Sequence, residues 1–452
     1  MEKDDLLKNE KIILHTLNVH ERCGTPVEFF SSSQWFIKLI DFKKDFLERG
    51  KQLKWYPLFM LKRYEDWVSG LKWDWSISRS HYYGVPFPVL YCKDCGEIIL
   101  AKEEELPVDS RESQPKNRFC PHCNGKNFVG ESDVMDTWMT SSLTPLINAR
   151  WHEKNNLMGK IYPMSLRVQG FEIIRTWLFY TIVKSHLHTN SLPWKAAMIS
   201  GWGLDSKGQK MSKSKGDFVT SEGIIEKYSA DALRFWSCGA NLGMDLRFTE
   251  EDVKAGQKLL TKIWNVTRFI LMNLTDYQYK KEDIATEETD KWILAELQNV
   301  IKECTLALEN YEYSQAKIAL EHFFWMKLAD NYLDICKDRL HNPEKRGEKA
   351  RRSTQFTFSI LLNTLIKLFA PILPYITEEI YQMAFREKER VASVHLTKWP
   401  KVDSRWDAQK MRENRELLID VISLIRKFRT EKRVFQKNGI EIIYVETSGP
   451  TQ

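Results

Sequence analysis

The stretch Ser165–Ser200, SLRVQGFEIIRTWLFYTIVKSHLHTNSLPWKAAMIS, decides the class of fold. Its first four residues predict a strand, and Lys195–Ser200 predicts a second one. Between them, Ile174, Leu178 and Ile182 recur at the spacing of an amphipathic helix. A strand, a helix and a second strand in this order form a crossover unit with two parallel strands. The sequence therefore predicts an α/β domain with a parallel sheet.

A cationic loop follows the second predicted strand. Residues 207–216, KGQKMSKSKG, hold four lysines, two serines and two glycines. Glycine lets the backbone approach a ligand closely, lysine carries a mobile charge suited to phosphate, and serine hydroxyls can donate to the same oxygens. A solvated charged loop is the alternative for any lysine-rich segment. The apolar Met211 among the charges, and the helix predicted from Ser221 to Tyr228, favour a phosphate-binding loop.

Length and composition restrict the class of protein. The chain has 452 residues, enough for two to four domains, and its hydrophobic content of 43% and charged content of 28% are ordinary for a globular protein. The net charge of +6 is compatible with a polyanionic partner. No run has the length of a membrane-spanning helix, and the first five residues, MEKDD, lack the apolar core of a secretion signal. These features predict a cytoplasmic protein.

Two cysteine pairs predict a metal site. Cys92 and Cys95 form one C-x2-C knuckle, and Cys120 and Cys123 form another. Four thiolates at this spacing can close a tetrahedral Zn²⁺ site, which leaves no open position and therefore favours a structural role. Zinc binding by such segments is worth roughly 10–16 kcal/mol, which explains how a segment poor in aliphatic residues can fold. The alternative, four unrelated free cysteines, is disfavoured by the paired spacing. His20 and Cys23 also have ligand spacing, and they are interpreted as structural or as half of a degenerate site.

Long amphipathic helices dominate the chain after residue 255. Apolar residues recur at helical spacing, and prolines interrupt the pattern after Phe369. The predicted helices are Leu259–Leu274, Trp292–Glu309, Ser314–Arg339 and Phe356–Phe369. A further basic helix is predicted within residues 406–438. The sequence therefore predicts an all-α part that follows the α/β part.

The segment Lys210–Ser214, KMSKS, resembles the ATP-binding loop of class I aminoacyl-tRNA synthetases, with which it is identical at all five positions. In that family the lysines hold the triphosphate while pyrophosphate leaves. The resemblance implies that Lys213 makes the main phosphate contact and that Lys210 and Ser212 support it. Lys210 and Lys213 would be the catalytic lysines, and Met211 and Ser214 would complete the ATP-binding loop. A preorganised cation stabilises the charge that develops on the leaving oxygens.

Other stretches resemble the valyl-tRNA synthetase family in its archaeal and eukaryote-like form. They include Asp133–Leu143, DVMDTWMTSSL, and Gln169–Trp177, QGFEIIRTW. The resemblance implies a valine–tRNA ligase, which activates valine with ATP and Mg²⁺ and transfers it to tRNA(Val). It also implies the second half of a Rossmann-type parallel sheet with a zinc-ribbon insert, followed by a helical-bundle anticodon-binding domain. A different class I ligase, for isoleucine or leucine, is disfavoured by the Asp136–Leu143 stretch.

The same resemblance assigns further site residues. Trp138 would wall the valine pocket, with Tyr83 as the candidate for a second wall. The alternative is that both are ordinary core aromatic residues, and for Tyr83 the two interpretations have about equal weight. Gly170 would admit the nucleotide close to the backbone, and Glu172 would lie near the adenosine. The chain departs from the family pattern at Phe171 and Glu172, where the family usually has His and Asp. It also departs at Ser80, where Gln is usual, and at Asp217, where Asn is frequent.

The resemblance divides the chain into six parts. The expected boundaries are 1–35 for the end of an editing domain, 36–90 for a catalytic-domain segment, 91–130 for the zinc ribbon, 131–255 for the second half of the Rossmann domain, 256–400 for the anticodon-binding domain, and 401–452 for the basic helix and tail.

One family motif, His-x-Gly-His, is expected early in the nucleotide fold but does not occur in this sequence. The first half of the Rossmann fold and most of the editing domain are therefore expected to be missing. A separate N-terminal polypeptide that completes the active site is one explanation, and a reading frame that lost its front is the other. The alternative function is a non-catalytic tRNA-binding remnant, in which the helical domain and the zinc ribbon survive for binding only.

Overall fold

The computed structural model describes residues 9–20, 23–28, 31–112, 118–153, 157–211, 220–280, 283–406, 421 and 424–432. Its buried apolar residues form three clusters: one in the α/β part, a small one in the cysteine ribbon, and a large one in the helical part. The α/β cluster ends with Ile199, and the helical cluster begins with Ile224. The cationic loop therefore lies between the two major cores along the chain.

The predicted parallel sheet is confirmed. Strands β2 (Lys54–Tyr56), β9 (Met164–Gly170) and β10 (Trp194–Ser200) lie in the order β2-β10-β9, and both pairings are parallel. The register brings Ser200 opposite Gly170, so both strands end at the same edge of the sheet. Because ligands of open α/β sheets bind outside the carboxyl ends of the strands, this edge is the place to seek a site.

A continuous helical segment connects β9 to β10, but it is not a uniform α-helix. It begins as a 3₁₀ turn (Phe171–Ile173), continues as a π-helical stretch (Ile174–Leu178) and ends as α6 (Phe179–Thr189). Ile174, Leu178 and Ile182 are all buried, as the spacing predicted. The π-helical stretch follows Gly170 after this single 3₁₀ turn, and π-helical turns are frequent at functional sites.

The cysteine ribbon is an antiparallel three-stranded sheet. Its strands are β5 (Val89–Cys92), β6 (Ile98–Leu100) and β7 (Phe128–Gly130), in the order β6-β5-β7. Short two-residue strands make up three further pairs: β1 (Phe36–Ile37) with β3 (Trp75–Ser76), β4 (Ser78–Arg79) with β8 (Val134–Met135), and β11 (Gly203–Leu204) with β12 (Leu246–Arg247).

The helices of the first 250 residues surround the sheets. They are α1 (Lys43–Gln52), α2 (Met60–Gly70), α3 (Thr137–Ser141), α4 (Thr144–Asn148), α5 (Leu157–Ile161), α7 (Ser221–Lys227) and α8 (Ala230–Ser237). Phe46 on α1 and Tyr64 on α2 are fully buried in the same cluster as Phe179 on α6. The α/β core therefore contains α1, α2 and α6 packed on the parallel sheet, whereas the buried apolar residues of α7 and α8 belong to the helical cluster.

The second half of the described chain is helical, which confirms the predicted all-α part. Its helices are α9 (Glu250–Met272), α10 (Glu288–Glu309), α11 (Tyr313–His322), a π-helical stretch (Phe323–Tyr332), α12 (Leu333–His341), α13 (Pro343–Arg346), α14 (Glu348–Phe369), α15 (Pro374–Ala384) and α16 (Arg386–Glu389). A buried polar group ties four of these segments together, because Asp290 on α10 accepts hydrogen bonds from Tyr332, Arg339 and Ser353 at 2.7, 2.7 and 2.5 Å. Within the described residues, the structure contains no helix that could cross a bilayer.

A polar joint connects α8 with the helical part. The buried carboxylate of Asp231 accepts the backbone N–H groups of Tyr375 at 3.3 Å and Ile376 at 2.8 Å, which lie in the first turn of α15. Arg234 donates to the carbonyl oxygens of Pro371 and Ile372 at 2.8 and 3.1 Å. Asp231 therefore acts as the N-cap of a helix about 140 residues away along the chain.

Changing Asp231 to alanine is expected to lower the free energy of unfolding by about 1 kcal/mol, because the first turn of α15 loses its acceptor. Burial raises the pKa of Asp231, so ionisation of this carboxyl is disfavoured in the fold. An asparagine keeps a neutral acceptor oxygen, and Asp231→Asn should therefore lose less stability than Asp231→Ala. Urea unfolding of the two variants compares them; equal losses would contradict a capping role.

Candidate functional site

The cationic loop begins with a tight turn. Asp205 Oδ1 accepts the N–H groups of Lys207 at 2.9 Å and Gln209 at 2.7 Å, and Gly208 has a φ of +80°. Lys210 then pairs with Leu204 through an antiparallel bridge. The backbone of the first part of the loop is therefore fixed against β11.

The structure brings the start of this loop to the carboxyl edge of the sheet. Lys210 Nζ lies 4.4 Å from the centroid of the Trp202 ring, and Trp202 packs on Phe171 with the ring centroids 5.0 Å apart. Phe171 directly follows Gly170. Met211 reaches the same edge, because its Cε lies 3.1 Å from the place a Cβ would take at Gly203. Ser212, Lys213 and Ser214 lie outside the described residues, so their phosphate contacts stay predictions.

The space beside Gly170 is taken up by the tip of the Glu172 side chain. A Cβ at this position would lie 2.4 Å from Glu172 Oε2. That carboxylate oxygen is buried and has no hydrogen-bond partner among the residues that the structure describes. Gly170 and Glu172 thus place a close-packed backbone and a carboxylate acceptor at the end of β9, where the sequence analysis expected the nucleoside.

A buried carboxylate holds the backbone of Trp138. Asp136, 4% exposed, caps α3 by accepting the N–H of Trp138 at 3.2 Å, and its other oxygen accepts from Trp75 and Arg79, both at 3.1 Å. The Trp138 ring is partly buried against the α/β core. Tyr83 is 86% exposed and contacts Tyr82, with the ring centroids 5.1 Å apart. The pocket role of both aromatic residues stays a prediction.

Two cations, the half-buried Arg167 and the buried Lys184, were not predicted as site residues from the sequence. The guanidinium of Arg167 lies 2.8 Å from the Trp177 ring centroid and 5.2 Å from that of Trp194, and burial lowers its pKa to about 9. Lys184 Nζ lies 3.6 Å from the sulfur of Met139, and burial lowers its pKa to about 8. The only sequence signal was the occurrence of a cation within a predicted strand and a predicted helix.

The four cysteines of the ribbon converge. Their sulfur atoms all lie within 4.8 Å of one another, with Cys92 and Cys123 3.6 Å apart and Cys95 and Cys120 3.5 Å apart. Tetrahedral zinc with Zn–S bonds of about 2.3 Å requires sulfur atoms about 3.8 Å apart. The four predicted thiolates therefore fit Zn²⁺, and they would fill all of its coordination positions.

Each cysteine pair lies on a knuckle with the same backbone hydrogen bonds. In the first knuckle, Cys92 N donates to Glu97 O at 2.9 Å, Gly96 N donates to Cys92 O at 2.8 Å, and Gly96 has a φ of +78°. The second knuckle repeats this pattern from Cys120, with Asn124 at a φ of +58°. The left-handed residue lets the chain turn tightly enough to aim both sulfur atoms at one point.

The segment around His20 and Cys23 has the same knuckle geometry. His20 N donates to Thr25 O at 2.8 Å, Gly24 N donates to His20 O at 2.9 Å, and Gly24 has a φ of +69°. Cys23 Sγ lies 3.2 Å from His20 Nδ1, and its hydrogen bond with Thr25 is the largest influence that lowers the pKa of the thiol to about 7. Two ligands do not complete a site, and among the described residues only the four ribbon cysteines form a cluster of three or more ligands.

Two family models and several curated proteins match the sequence of this chain. Residues 8–249 match the family model of class I tRNA synthetases (I, L, M and V), and residues 290–444 match the anticodon-binding domain of tRNA ligase. The valine--tRNA ligase of Thermoplasma volcanium is 44% identical over 434 residues, which cover 96% of this chain and 53% of that protein. That of Wolbachia pipientis wMel is 40% identical, with 98% of this chain and 51% of that protein covered. The chain thus spans about half the length of the curated relatives it matches.

Solved structures share the fold. A LeuRS–tRNA–LeuAMS ternary complex from Agrobacterium radiobacter K84 has a TM-score of 0.58 at 22% identity, covering 74% of this chain and 43% of that chain. The methionyl-tRNA synthetase of Mycobacterium tuberculosis, bound to methionyl-adenylate, has a TM-score of 0.58 at 16% identity, covering 80% of this chain and 65% of that chain. At these identities the likeness shows the fold alone.

Proposed function

The chain belongs to the class I tRNA synthetases, and from that membership we propose that it forms part of a valine–tRNA ligase, which activates valine with ATP and transfers it to tRNA(Val). The single observation that carries this proposal is the position of Lys210 on the Trp202 ring, which packs on Phe171 at the carboxyl edge of the sheet. The similarity to valine--tRNA ligases supports valine as the amino acid. A role in protein synthesis also favours a cytoplasmic location.

The lysines of the loop would stabilise the leaving pyrophosphate. During activation, the valine carboxylate attacks the α-phosphorus of ATP, and negative charge increases on the oxygens that leave. A cation held near these oxygens before the reaction stabilises the transition state more than the ground state. Lys210 is fixed at the site edge by its stack on Trp202, and Lys213, by resemblance, makes the main contact. Mg²⁺ bound by the triphosphate would supply further charge neutralisation.

Gly170 and Glu172 would hold the nucleoside. A shift of the Glu172 side chain, whose tip covers Gly170, would open the backbone there to a ligand, and its buried oxygen without a described partner can accept a hydrogen bond from a hydroxyl group. A ribose offers such hydroxyl donors. Glutamate in place of the usual aspartate retains the carboxylate, so this departure from the family pattern keeps the acceptor.

Trp138 would form one wall of the valine slot. Its backbone is held by Asp136, which Trp75 and Arg79 hold in turn, so the ring has a rigid support. An apolar wall suits a small branched side chain. Such a slot discriminates between amino acids that differ by one methylene by only about 1–3 kcal/mol. The zinc ribbon would be structural, since its four thiolates leave no position for a substrate.

Because the chain spans about half the length of its relatives, we infer that the whole ligase uses groups from the other half as well. A separate N-terminal polypeptide is one way to supply them. The assay for the proposed function therefore needs two arms, one with this chain alone and one with the N-terminal portion of a close relative added.

Helix α9 offers a surface suited to RNA. Its exposed residues recur every three or four positions and include Lys254, Lys258, Trp264 and Arg268. The Trp264 side chain is 40% exposed, and the three cations lie along the same face. Cations that track phosphates and an exposed ring that stacks on a base are the two components of single-stranded RNA binding. We propose that this face contacts tRNA next to the anticodon-binding domain.

Changing Arg268 to alanine is expected to weaken tRNA binding modestly and to reduce the slope of log K against log salt by about 1, because one phosphate contact is lost. Titrations of labelled tRNA at several salt concentrations measure both quantities. Lys51→Ala, on the surface of α1, removes an equal charge and should leave the slope unchanged. An unchanged slope for Arg268→Ala would exclude this residue from the RNA surface.

Valine-dependent exchange of pyrophosphate into ATP tests the proposed function. Exchange in either arm of the assay supports the ligase, and exchange that needs the added portion shows that the chain is incomplete by itself. Retained tRNA binding with no exchange in either arm would instead support a non-catalytic tRNA-binding module. Exchange that depends on isoleucine or leucine would overturn the choice of valine.

A further inference from the structure

Four side chains from separate segments form one stack at the carboxyl edge of the sheet. The guanidinium carbon of Arg63, on α2, lies 4.6 Å from the Phe171 ring centroid. Phe171 packs on Trp202 with the ring planes inclined by 32°. Lys210 Nζ lies 4.4 Å from the centroid of the Trp202 ring. The order is therefore cation, ring, ring, cation, and it links α2 to the first lysine of the KMSKS segment.

We propose that Trp202 is a positioning residue for triphosphate binding. It holds the ammonium group of Lys210 at the edge of the sheet before ATP arrives. This inference rests on the proposed function, because it assigns Lys210 to the nucleotide phosphates.

The backbone of Trp202 is fixed by its neighbours. Its N–H donates to Asp245 Oδ1 at 2.8 Å, and its carbonyl oxygen accepts the N–H of Leu246 at 2.8 Å. Just before it, a Cβ at Gly201 would lie 2.1 Å from Met244 O, so the two chain segments touch directly. The indole N–H has no acceptor among the described residues, which leaves ring packing to orient this side chain.

Phe171 supports the Trp202 ring by packing on it. It is one of the positions at which this chain departs from the family pattern, where His is usual. A phenyl ring packs on an indole by dispersion and by its edge charges, and it adds no proton equilibrium to the stack. Arg63 lies over the Phe171 ring as Lys210 lies over the Trp202 ring, so each ring of the pair has a cation of its own.

Lys210 needs such a support because a lysine side chain has many rotamers. Its backbone is held by the bridge to Leu204, but the four-carbon stem beyond Cα would otherwise sample many positions. The face of a tryptophan is the best aromatic partner for an ammonium group. A cation placed before binding loses less freedom when the ligand arrives, which increases affinity without a new contact. Lys210 is expected to strengthen the binding of the β- and γ-phosphates, which ATP has and AMP lacks.

Nuclear magnetic resonance of the full chain tests the contact itself. The lysines are reductively methylated with ¹³C, which retains their charge, and the Lys210 signal is assigned by its loss in Lys210→Arg. A methyl group above an indole ring shifts upfield from the other lysine signals. The shift should disappear in Trp202→Leu, persist in Trp202→Phe, and persist in the control Trp73→Leu, which changes a ring that is 74% exposed. A shift that survives Trp202→Leu would overturn the proposal.

Nucleotide binding tests the purpose of the contact. Trp202→Leu should weaken ATP binding by about three- to ten-fold, within the range measured for cation–π pairs, and leave AMP binding unchanged. Trp202→Phe should restore most of the ATP affinity. Equal losses for ATP and AMP would mean that Trp202 only shapes the nucleoside pocket, and the positioning role would be wrong.

The two measurements separate this inference from the proposed function. If the unaltered chain bound no ATP, alone or with the N-terminal portion of a relative, the proposed function and the purpose given to Trp202 would both be wrong. If ATP bound normally but Lys210 had no upfield shift, only the role of Trp202 would be wrong.

Discussion

Replacing Cys120 with serine is expected to abolish tight binding of one zinc ion per chain and to unfold the ribbon between Val89 and Gly130. Cys120 is a fully buried member of the four-thiolate cluster, and the buried apolar cluster of the ribbon holds five of the described residues. So small a core cannot maintain the sheet without metal. Structural zinc is worth about 10–16 kcal/mol in comparable sites, far more than the other substitutions considered. Zinc content by metal analysis and hydrogen exchange across the ribbon measure the two effects.

Cys304→Ala is the matched control for the zinc prediction. Cys304 is also a fully buried thiol, but it lies in the large cluster of helical residues and not among the ribbon sulfur atoms. This variant should retain stoichiometric zinc and normal exchange in the ribbon. Stoichiometric zinc in Cys120→Ser would contradict the assigned ligand set, and loss of zinc in Cys304→Ala would show that the assay reports general unfolding.

Changing Lys213 to alanine is expected to slow valine-dependent pyrophosphate exchange by about 10²–10³-fold. This is the usual cost of removing one group that stabilises charge in the transition state. Lys210→Ala should have a smaller effect, since Lys210 is assigned a supporting role. Lys213 lies outside the described residues, so this prediction rests on the identity of KMSKS with the class I loop.

Lys207→Ala provides the comparison for charge alone. Lys207 belongs to the same cationic run, but its backbone N–H is bonded to Asp205 in the turn that precedes KMSKS. Lys207→Ala should change the rate of pyrophosphate exchange by less than about two-fold. Replacement of either KMSKS lysine should slow exchange more than that. tRNA binding should be nearly the same in all three variants. Undiminished exchange in Lys213→Ala would show that the assignment of this residue is wrong.

The sequence predicted the type of most elements but not their internal irregularities. The helix expected at Leu259–Leu274 begins at Glu250, because Thr249 caps a polar first turn that hydrophobic spacing does not detect. The cap could have been found from the Thr-x-x-acid pattern. The helix expected at Ser314–Arg339 contains a π-helical stretch, Phe323–Tyr332. A spacing of 3.6 residues cannot show where the helix widens.

The candidate site was predictable where chemistry depends on short spacing in the chain. The spacing within each cysteine pair predicts that its two sulfur atoms lie close together, since each knuckle is a local turn. The stack of Lys210 on Trp202 and of Trp202 on Phe171 was not predictable, because Phe171 and Trp202 are about 30 positions apart and their approach depends on the register of β9 with β10. The same holds for Arg167, whose stacking on Trp177 depends on how the π-helical stretch packs on the strand.

The joint at Asp231 has a thermodynamic consequence for the whole chain. Asp231 and Arg234 belong to a short helix that follows the lysine loop, while their partners begin α15 of the helical part. If RNA bound to the helical part changed nucleotide affinity through this joint, linkage would require the nucleotide to change RNA affinity by the same factor. Nucleotide titrations with and without tRNA, in the unaltered chain and in Asp231→Ala, would measure that coupling.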